Sequence, residues 1–475
     1  MKVSAEQLAE ALPFDYCIVG SGPAGITLAL ALEATGKRIL LIEGGGESPS
    51  DASQELYRGE VVGHAYRPLD RCRIRAFGGS SNGWGGWCRP LDAVDFTEKP
   101  GLADGGWPIG HSDLAPYAAR ADELLKLGPA EDEPALAGAL LKQSSFRYST
   151  VNFGQKYKER LFASANVAVA LNTSLVAILT DGTAVTGLRV DVGGMRRTLT
   201  ARCYILATGG IENSRLLLWS NQLAHGALIK QPATLGRYWM EHPHFTLGEI
   251  LLKRRAGLNF DEKSVGFVSP TPELMARKQL LNCGLRIIRS DDAETLASIR
   301  RLARVAPHLA STILRDYRQG RSYGAVLRAS WEQYPRAQSR VALAREKDRL
   351  GIPRVILYWT LDNGDKRTAL ESARHLGRYI ADLDLGRLRL DRWLSNTDPF
   401  PTNDEVGGCH HMGGTRMART PEQGIVDRDC KVFGQRNLYI AGSSVFPSSG
   451  FANPTYTIVQ LALRLAEHLA RLSGG

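Results

Sequence analysis

Residues 15–43 carry the feature that most limits how this chain can fold. An apolar run, DYCIVG, is followed by the turn SGPAG, a helix-like stretch ITLALALEATG and a second apolar run, KRILLIE. Strand, turn, helix and strand in that order make a βαβ unit, whose two strands must lie parallel in one sheet. The turn supplies Gly20, Gly22 and Gly25 in G-x-G-x-x-G spacing between a strand and a helix, the context that gives this motif meaning. Gly20 permits the turn, Gly22 admits a pyrophosphate to the backbone, and Gly25 allows close helix packing. The pyrophosphate charge then meets unsatisfied N–H groups at the helix N-terminus. Glu43 closes the second strand, where a carboxylate accepts ribose hydroxyls and disfavours a 2′-phosphate. The motif alone does not separate NAD from FAD.

Two further apolar strands end in small residues, RCYILATGG (202–210) and RNLYIAGSS (436–444), and both are expected to join the first sheet. Between them, 70–150 is rich in aromatics and glycines, and about 245–397 mixes strand and helix patterns. In the latter, 339–359 shows two β-rich runs around a charged turn and 365–383 shows helical periodicity. With 475 residues and 43% hydrophobic content, the chain can bury a core large enough for two interleaved domains. The expected fold is α/β: a Rossmann-like nucleotide domain interleaved with an α+β substrate domain built on an antiparallel sheet. Its segments are 1–90, 150–245 and 398–475 for the nucleotide domain, 91–149 for an insertion or cap, and 246–397 for the substrate domain.

Other classes are disfavoured. The start, MKVSAEQLAEALPFDYC, lacks a basic, apolar and small-residue leader, so a cytoplasmic location is expected. No run approaches the roughly 18 apolar residues of a membrane span, so no stable membrane insertion is expected. The seven cysteines are scattered without a C-x-x-C pair and read as mostly buried thiols. A net charge of +10 is spread over dispersed arginines and matches no nucleic-acid motif. It points instead to a mild preference for anionic ligands. The basic stretch 299–328, with Arg300, Arg301, Arg304, Arg315, Arg318, Arg321 and Arg328 at helical spacing, reads as a solvated helix face or as a contact for a partner or membrane surface.

Six blocks, in order, resemble the glucose–methanol–choline (GMC) oxidoreductases. They are the glycine turn, FGGSSNGWGGWCRPLDAVDF (77–96), ILATGGIENSRLLL (205–218), LGRYWMEHPHF (235–245), GGCHHMGGTRM (407–417) and the C-terminal stretch NLYIAGSSVFPSSGFANPTYTIVQLALRLAEHL (437–469). The resemblance covers about half of the chain and is weakest in the substrate domain, which is shorter than usual for the family. It implies an FAD enzyme. Gly78, Gly79, Ser80, Ser81 and Asn82 match the loop that packs on the flavin, and Gly442, Pro454 and Thr455 match further flavin contacts. No histidine stands between His64 and His111, where some relatives attach FAD covalently, so FAD is expected to be non-covalent.

The same resemblance puts His410 at the catalytic histidine position and Asn453 at its partner position. Oxidising an alcohol needs a base for the hydroxyl proton and a group to fix the carbinol, which a His and Asn pair supplies. His411 stands where relatives carry proline or another residue, and a share in the catalytic role stays open for it. Asn453 also suits a helix N-cap with Pro454 at the first helical position. Asp427 and Val432 read as a scaffolding hairpin. Trp84, Trp87 and Trp107 either line a substrate entrance or belong to the core. His242 and His244 have strand-face spacing without companion ligands, so no metal is expected.

The expected activity is therefore oxidation of a CH–OH group of a sugar, glycoside or related alcohol. Oxygen, a quinone or another carrier would act as electron acceptor. The alternatives are a biosynthetic flavoenzyme that oxidises or cyclises a specialised metabolite, a redox-silent FAD-containing lyase, and a non-enzymatic electron-transfer or docking subunit.

Overall fold

The computed structural model describes residues 2–3, 14–99, 106–254, 266–395, 397–404 and 407–473. The stretch 4–13, most of the segment read for a leader, lies outside the described residues.

Five strands form one parallel sheet in the order Leu438–Ile440, Ala201–Leu206, Phe14–Val19, Ile39–Ile42, Val167–Ala170. Their near-continuous apolar character follows from burial on both faces, which polar residues would not tolerate. The three distant strands read from the sequence thus lie side by side. Helix Pro23–Glu33 buries Ile26, Leu28, Ala29, Leu30 and Leu32 against this sheet. Helix Thr455–Ser473 packs on helix Pro23–Glu33. The Tyr16 hydroxyl ties sheet to helix by donating to the Leu469 carbonyl at 3.1 Å. At about 1.5–3 kcal/mol per buried leucine or isoleucine, a charge at Leu28 or Leu30 would unseat the helix that carries the glycine turn.

A second sheet of six strands has the order Gly386–Leu390, His244–Lys253, Ser322–Trp331, Cys283–Arg289, Gly266–Pro270, Leu141–Ser145, and all its pairings are antiparallel. Helix Asn363–Asp382 covers it with Ala369, Ala373, Leu376 and Ile380. The edge strand Leu141–Ser145 comes from the 91–149 insertion, so the sheet draws on chain outside 246–397. A third, smaller sheet joins the hairpin Arg340–Lys347 and Pro353–Trp359 to Gly59–Gly63. That hairpin occupies the two β-rich runs of 339–359.

The basic stretch is not one helix. It comprises the end of helix Asp292–Ala303, helix Pro307–Arg318 and the strand Ser322–Trp331, in which Arg328 sits opposite Thr246 and Arg286. From Ser322 onward the residues are apolar enough to be buried on both faces of a sheet, and this overrides a helical arginine spacing. The helical arginines Arg300, Arg301, Arg304, Arg315 and Arg318 are exposed, and Arg301 pairs with Glu249. Among the described residues no helix is long and apolar enough to cross a membrane.

Candidate active site

The glycine turn shows three distinct constraints. Gly20 has φ 101°, and a Cβ there would stand 2.5 Å from the Ala207 carbonyl oxygen of the neighbouring strand end. At Gly25 a Cβ would lie 1.9 Å from the Gly20 oxygen, and at Gly22 it would meet nothing within 4 Å. The outer two glycines are therefore packed, and the middle one borders open space. Helix Pro23–Glu33 begins there with no side-chain cap and no acid in its first turn, leaving its N–H groups to an anion. Glu43 is buried beside the turn. It accepts from the Ser21 amide at 3.0 Å, the Ser21 hydroxyl at 2.7 Å and the Gly45 amide at 2.8 Å.

A cavity of about 430 Å³ runs from Glu43 past Gly20 and Gly22 to Gly79, Ser80 and Ser81, and onward to His410, His411, Gly442, Asn453, Pro454 and Thr455. Gly25, Gly78 and Asn82 do not line it. Gly25 packs behind the turn. The Asn82 side chain donates to the Phe77 carbonyl at 2.9 Å, and a Cβ at Gly78 would strike it, so these two shape the loop from behind. Helix Thr455–Ser473 also opens on the cavity with no acid in its first turn. Its first acceptor is the Pro454 carbonyl, which takes the Ile458 amide at 2.9 Å, so Pro454 rather than Asn453 holds the cap position. Asn453 stands one residue earlier and lines the cavity.

Two helix N-termini with no acid in the first turn thus face one elongated cavity, one beside the dinucleotide turn and the other beside Asn453. This donor set fits FAD: the first suits its pyrophosphate, and the second suits negative charge on the flavin ring.

The histidine end is built by a backbone bridge. The Met240 amide donates to the Met412 carbonyl at 2.8 Å, and the Met412 amide returns the bond at 3.0 Å. This sets Glu241 and His242 beside His410 and His411. Glu241 is fully buried, and its Oε1 accepts from the His242 amide at 2.8 Å and the His410 amide at 2.9 Å. Tyr66 donates its hydroxyl to the other carboxylate oxygen of Glu241, while His411 Nε2 lies 3.0 Å from the same hydroxyl. His410 Nδ1 faces His242 Nδ1 at 3.0 Å. The His410 ring lies flat on Gly408, where a Cβ would stand 2.5 Å from its Cε1.

Burial dominates the electrostatics. It pushes His410 well below the ordinary histidine range, helped by His242, His244 and His411. Burial also lowers His242 to about 4, and His244 and His411 to about 3. All four rings are therefore neutral near pH 7, and a neutral imidazole is what a general base requires. Burial raises Glu241 to about 7 despite its hydrogen bonds.

His411 has its Nε2 engaged with Tyr66, whereas His410 keeps 15% of its side chain exposed. With Nδ1 facing His242, His410 has Nε2 left for a substrate. His244 opens a strand, with its ring 6.1 Å from that of His410, and no metal-binding cluster occurs among the described residues. Trp84 and Trp87 line the cavity, and the Arg286 guanidinium sits 4.7 Å from the Trp87 ring centre. Trp107 is a core residue, 2% exposed, stacked on Phe96 and Phe446, with its N–H on the Ser448 hydroxyl at 3.0 Å. Asp427 accepts the Asp429 and Lys431 amides, and buried Val432 pairs with Val426.

Sequence reasoning passed over Tyr66, Glu241 and His242 as functional residues. The one signal available was the polar run Glu241–His242 directly after buried Trp239 and Met240, a burial that polar residues accept only with partners.

Fold and site together present a dinucleotide-type glycine turn and a cluster of histidines on one cavity. Residues 335–462 match the GMC oxidoreductase family model. Among curated proteins the chain is 23% identical to the 2-methyl-1,2-propanediol dehydrogenase of Mycolicibacterium austroafricanum, over 99% of this chain and 96% of that protein. It is 24% identical to the 5-(hydroxymethyl)furfural oxidase of Methylovorus sp. (strain MP688), over 96% and 98%. A C-glycoside 3-oxidase of Microbacterium trichothecenolyticum is 31% identical over 28% of this chain and 25% of that protein. Among solved structures, the pyridoxine 4-oxidase from Mesorbium loti superposes with TM-score 0.56 at 18% identity, covering 96% of this chain and 99% of that one. A formate oxidase gives TM-score 0.55 at 14% identity, covering 97% and 98%. These likenesses support an FAD-dependent oxidoreductase of the GMC type.

Proposed function

We propose that this protein oxidises a CH–OH group of a sugar, glycoside or related alcohol, with His410 as the base, Asn453 as the substrate-oxygen ligand and FAD held non-covalently. The observation that carries this reading is that His410 and Asn453 line the same cavity as the glycine turn, with Asn453 just before the N-terminus of helix Thr455–Ser473. The chemistry FAD supplies when bound is acceptance of hydride from the carbinol carbon, with oxygen, a quinone or another carrier taking the electrons onward. Gly20, Gly22 and the first turn of helix Pro23–Glu33 would hold its pyrophosphate, and Glu43 would meet its ribose. Gly79, Ser80 and Ser81, with Gly442, Pro454 and Thr455, would flank the flavin.

The chain's own part is to take a proton and fix an oxygen. Neutral His410 removes the hydroxyl proton through Nε2, while the Asn453 carboxamide orients the same oxygen. Trp84 and Trp87 offer apolar faces on which sugar rings stack. The relatives support this substrate class through their names, which include a propanediol dehydrogenase, a (hydroxymethyl)furfural oxidase and a C-glycoside oxidase.

The test is anaerobic visible absorbance of the yellow protein before and after addition of a panel of sugars, glycosides, sterols and simple alcohols. Bleaching by a sugar or glycoside, reduced by about 10²–10⁴-fold in rate by His410→Ala with flavin retained, is the expected result. A yellow, folded protein that no alcohol bleaches would overturn it and favour a redox-silent lyase or a specialised-metabolite enzyme.

A further inference from the structure

The His242–His410 contact decides which nitrogen of the base carries a proton. Two imidazole nitrogens 3.0 Å apart share a single hydrogen, so one ring must donate and the other accept. The neighbouring carboxylate settles the direction. Glu241 Oε1, which accepts the His410 amide, also lies 4.0 Å from His410 Nδ1. A hydrogen on His410 Nδ1 points toward two acceptors, the His242 Nδ1 lone pair and this carboxylate oxygen. A bare His410 Nδ1 would set its lone pair against the carboxylate oxygen instead. Neutral His242 therefore carries its hydrogen on Nε2 and turns a bare Nδ1 toward His410.

We infer that His242 is a positioning residue that holds His410 as the Nδ1–H tautomer, so that the lone pair on Nε2 faces the substrate hydroxyl. The inference rests on His410 being the base, and it adds what makes that ring basic at the correct atom. Glu241 supports the arrangement by gripping the backbone amides of both histidines on one carboxylate oxygen, which fixes the ring separation. The segment that leads into Asn453 is anchored by the Ser448 hydroxyl, which donates to the Asp95 carbonyl at 3.1 Å and accepts from Trp107.

The direct test needs no substrate. In protein labelled with ¹⁵N-histidine, the His410 signals are those lost in His410→Ala. They are expected to show a protonated, pyrrole-type Nδ1 and a bare, pyridine-type Nε2, and the reverse pattern overturns the inference. Kinetics on whichever alcohol of the panel bleaches the flavin give a second reading. His242→Leu removes the acceptor and is expected to lower kcat by about 10²-fold or more, with KM within about threefold and flavin content unchanged, the order seen when a base is left in the wrong tautomer. His242→Asn restores an acceptor near the Nδ1 position and is expected to recover at least about tenfold of that loss. Equal losses in both variants would make His242 merely structural, and a His242→Leu enzyme with normal kcat would refute the inference. Should His242→Leu fail to fold, the ¹⁵N pattern of the unmutated protein decides alone. If His410→Ala itself turns over normally, the proposed function fails; if His410→Ala is inactive while His242→Leu is normal, only the tautomer inference fails.

Discussion

Glu241→Gln separates the charge of the buried carboxylate from its hydrogen bonds. The side chain is 0% exposed, and burial lifts it from an ordinary 4.5 to about 7. Between those values the folded chain holds a proton that the unfolded chain releases. The associated stability is present in full below pH 4.5 and is lost as pH rises through 7. A shift of about 2.5 pH units corresponds to roughly 3 kcal/mol. Glutamine occupies the same space, keeps one oxygen for the His242 and His410 amides, and does not titrate. The stability of Glu241→Gln relative to wild type should therefore improve by roughly 3 kcal/mol between pH 4.5 and pH 8. With an unfolding entropy of about 2.1 cal/mol/K per residue over this chain length, that is a melting-temperature difference of roughly 3 °C. Calorimetry of both proteins at pH 4.5, 6 and 8 with equal flavin content reads it directly, since every other titrating group is common to the pair. Parallel pH curves would refute the argument. So would a wild type that gains on the variant as pH rises.

Two more substitutions test the frame around the site. Gly25→Ala forces a Cβ to within 1.9 Å of the Gly20 oxygen, so the turn must shift; overpacking of this kind costs about 1–3 kcal/mol, and weaker flavin retention, read by fluorescence of released FAD, is expected. Arg215 is buried between Glu212 at 3.2 Å and Asp348 at 2.7 Å, so Arg215→Ala strips Asp348 of its cation and leaves Glu212 with Arg73 alone. A loss of about 3–5 kcal/mol is expected in chemical denaturation, and a loss below about 1 kcal/mol would show that the network relaxes.

What the sequence revealed follows the distance over which each feature is built. The glycine turn acts within six residues, so Gly20, Gly22 and Gly25 were assignable before any tertiary contact was known. Gly79, Ser80, Ser81, His410 and Asn453 came from block resemblance, and all five line the cavity. The structure separates Gly78 and Asn82 from them, because a motif gives order along the chain but not which side of a loop faces a ligand. The contacts of Tyr66, Glu241 and His242 stayed invisible for another reason. Tyr66 meets Glu241 across 175 positions, and His242 meets His410 across 168, and no periodicity encodes such pairs. At Arg328 the helical spacing of arginines was coincidental, and burial on both faces of a sheet decided the element.

Protonation of Glu241 also carries a consequence for the cavity. While the carboxylate is ionised, the Tyr66 O–H donates to Glu241, and His411 must offer its Nε2–H to the Tyr66 oxygen. Once Glu241 takes a proton, that hydrogen can point at Tyr66, whose own hydrogen turns to a bare His411 Nε2. The chain from Glu241 to His411 therefore has two directions, and burial sets the balance point near neutral pH. Burying Glu241, His242, His411 and the Lys99–Glu332 pair costs stability that apolar residues would not. Such groups are retained where geometry must be held within a few tenths of an ångström. Here Glu241 holds the His410 amide at 2.9 Å and His242 meets its ring at 3.0 Å, so the expense in stability falls on the residue proposed as the base.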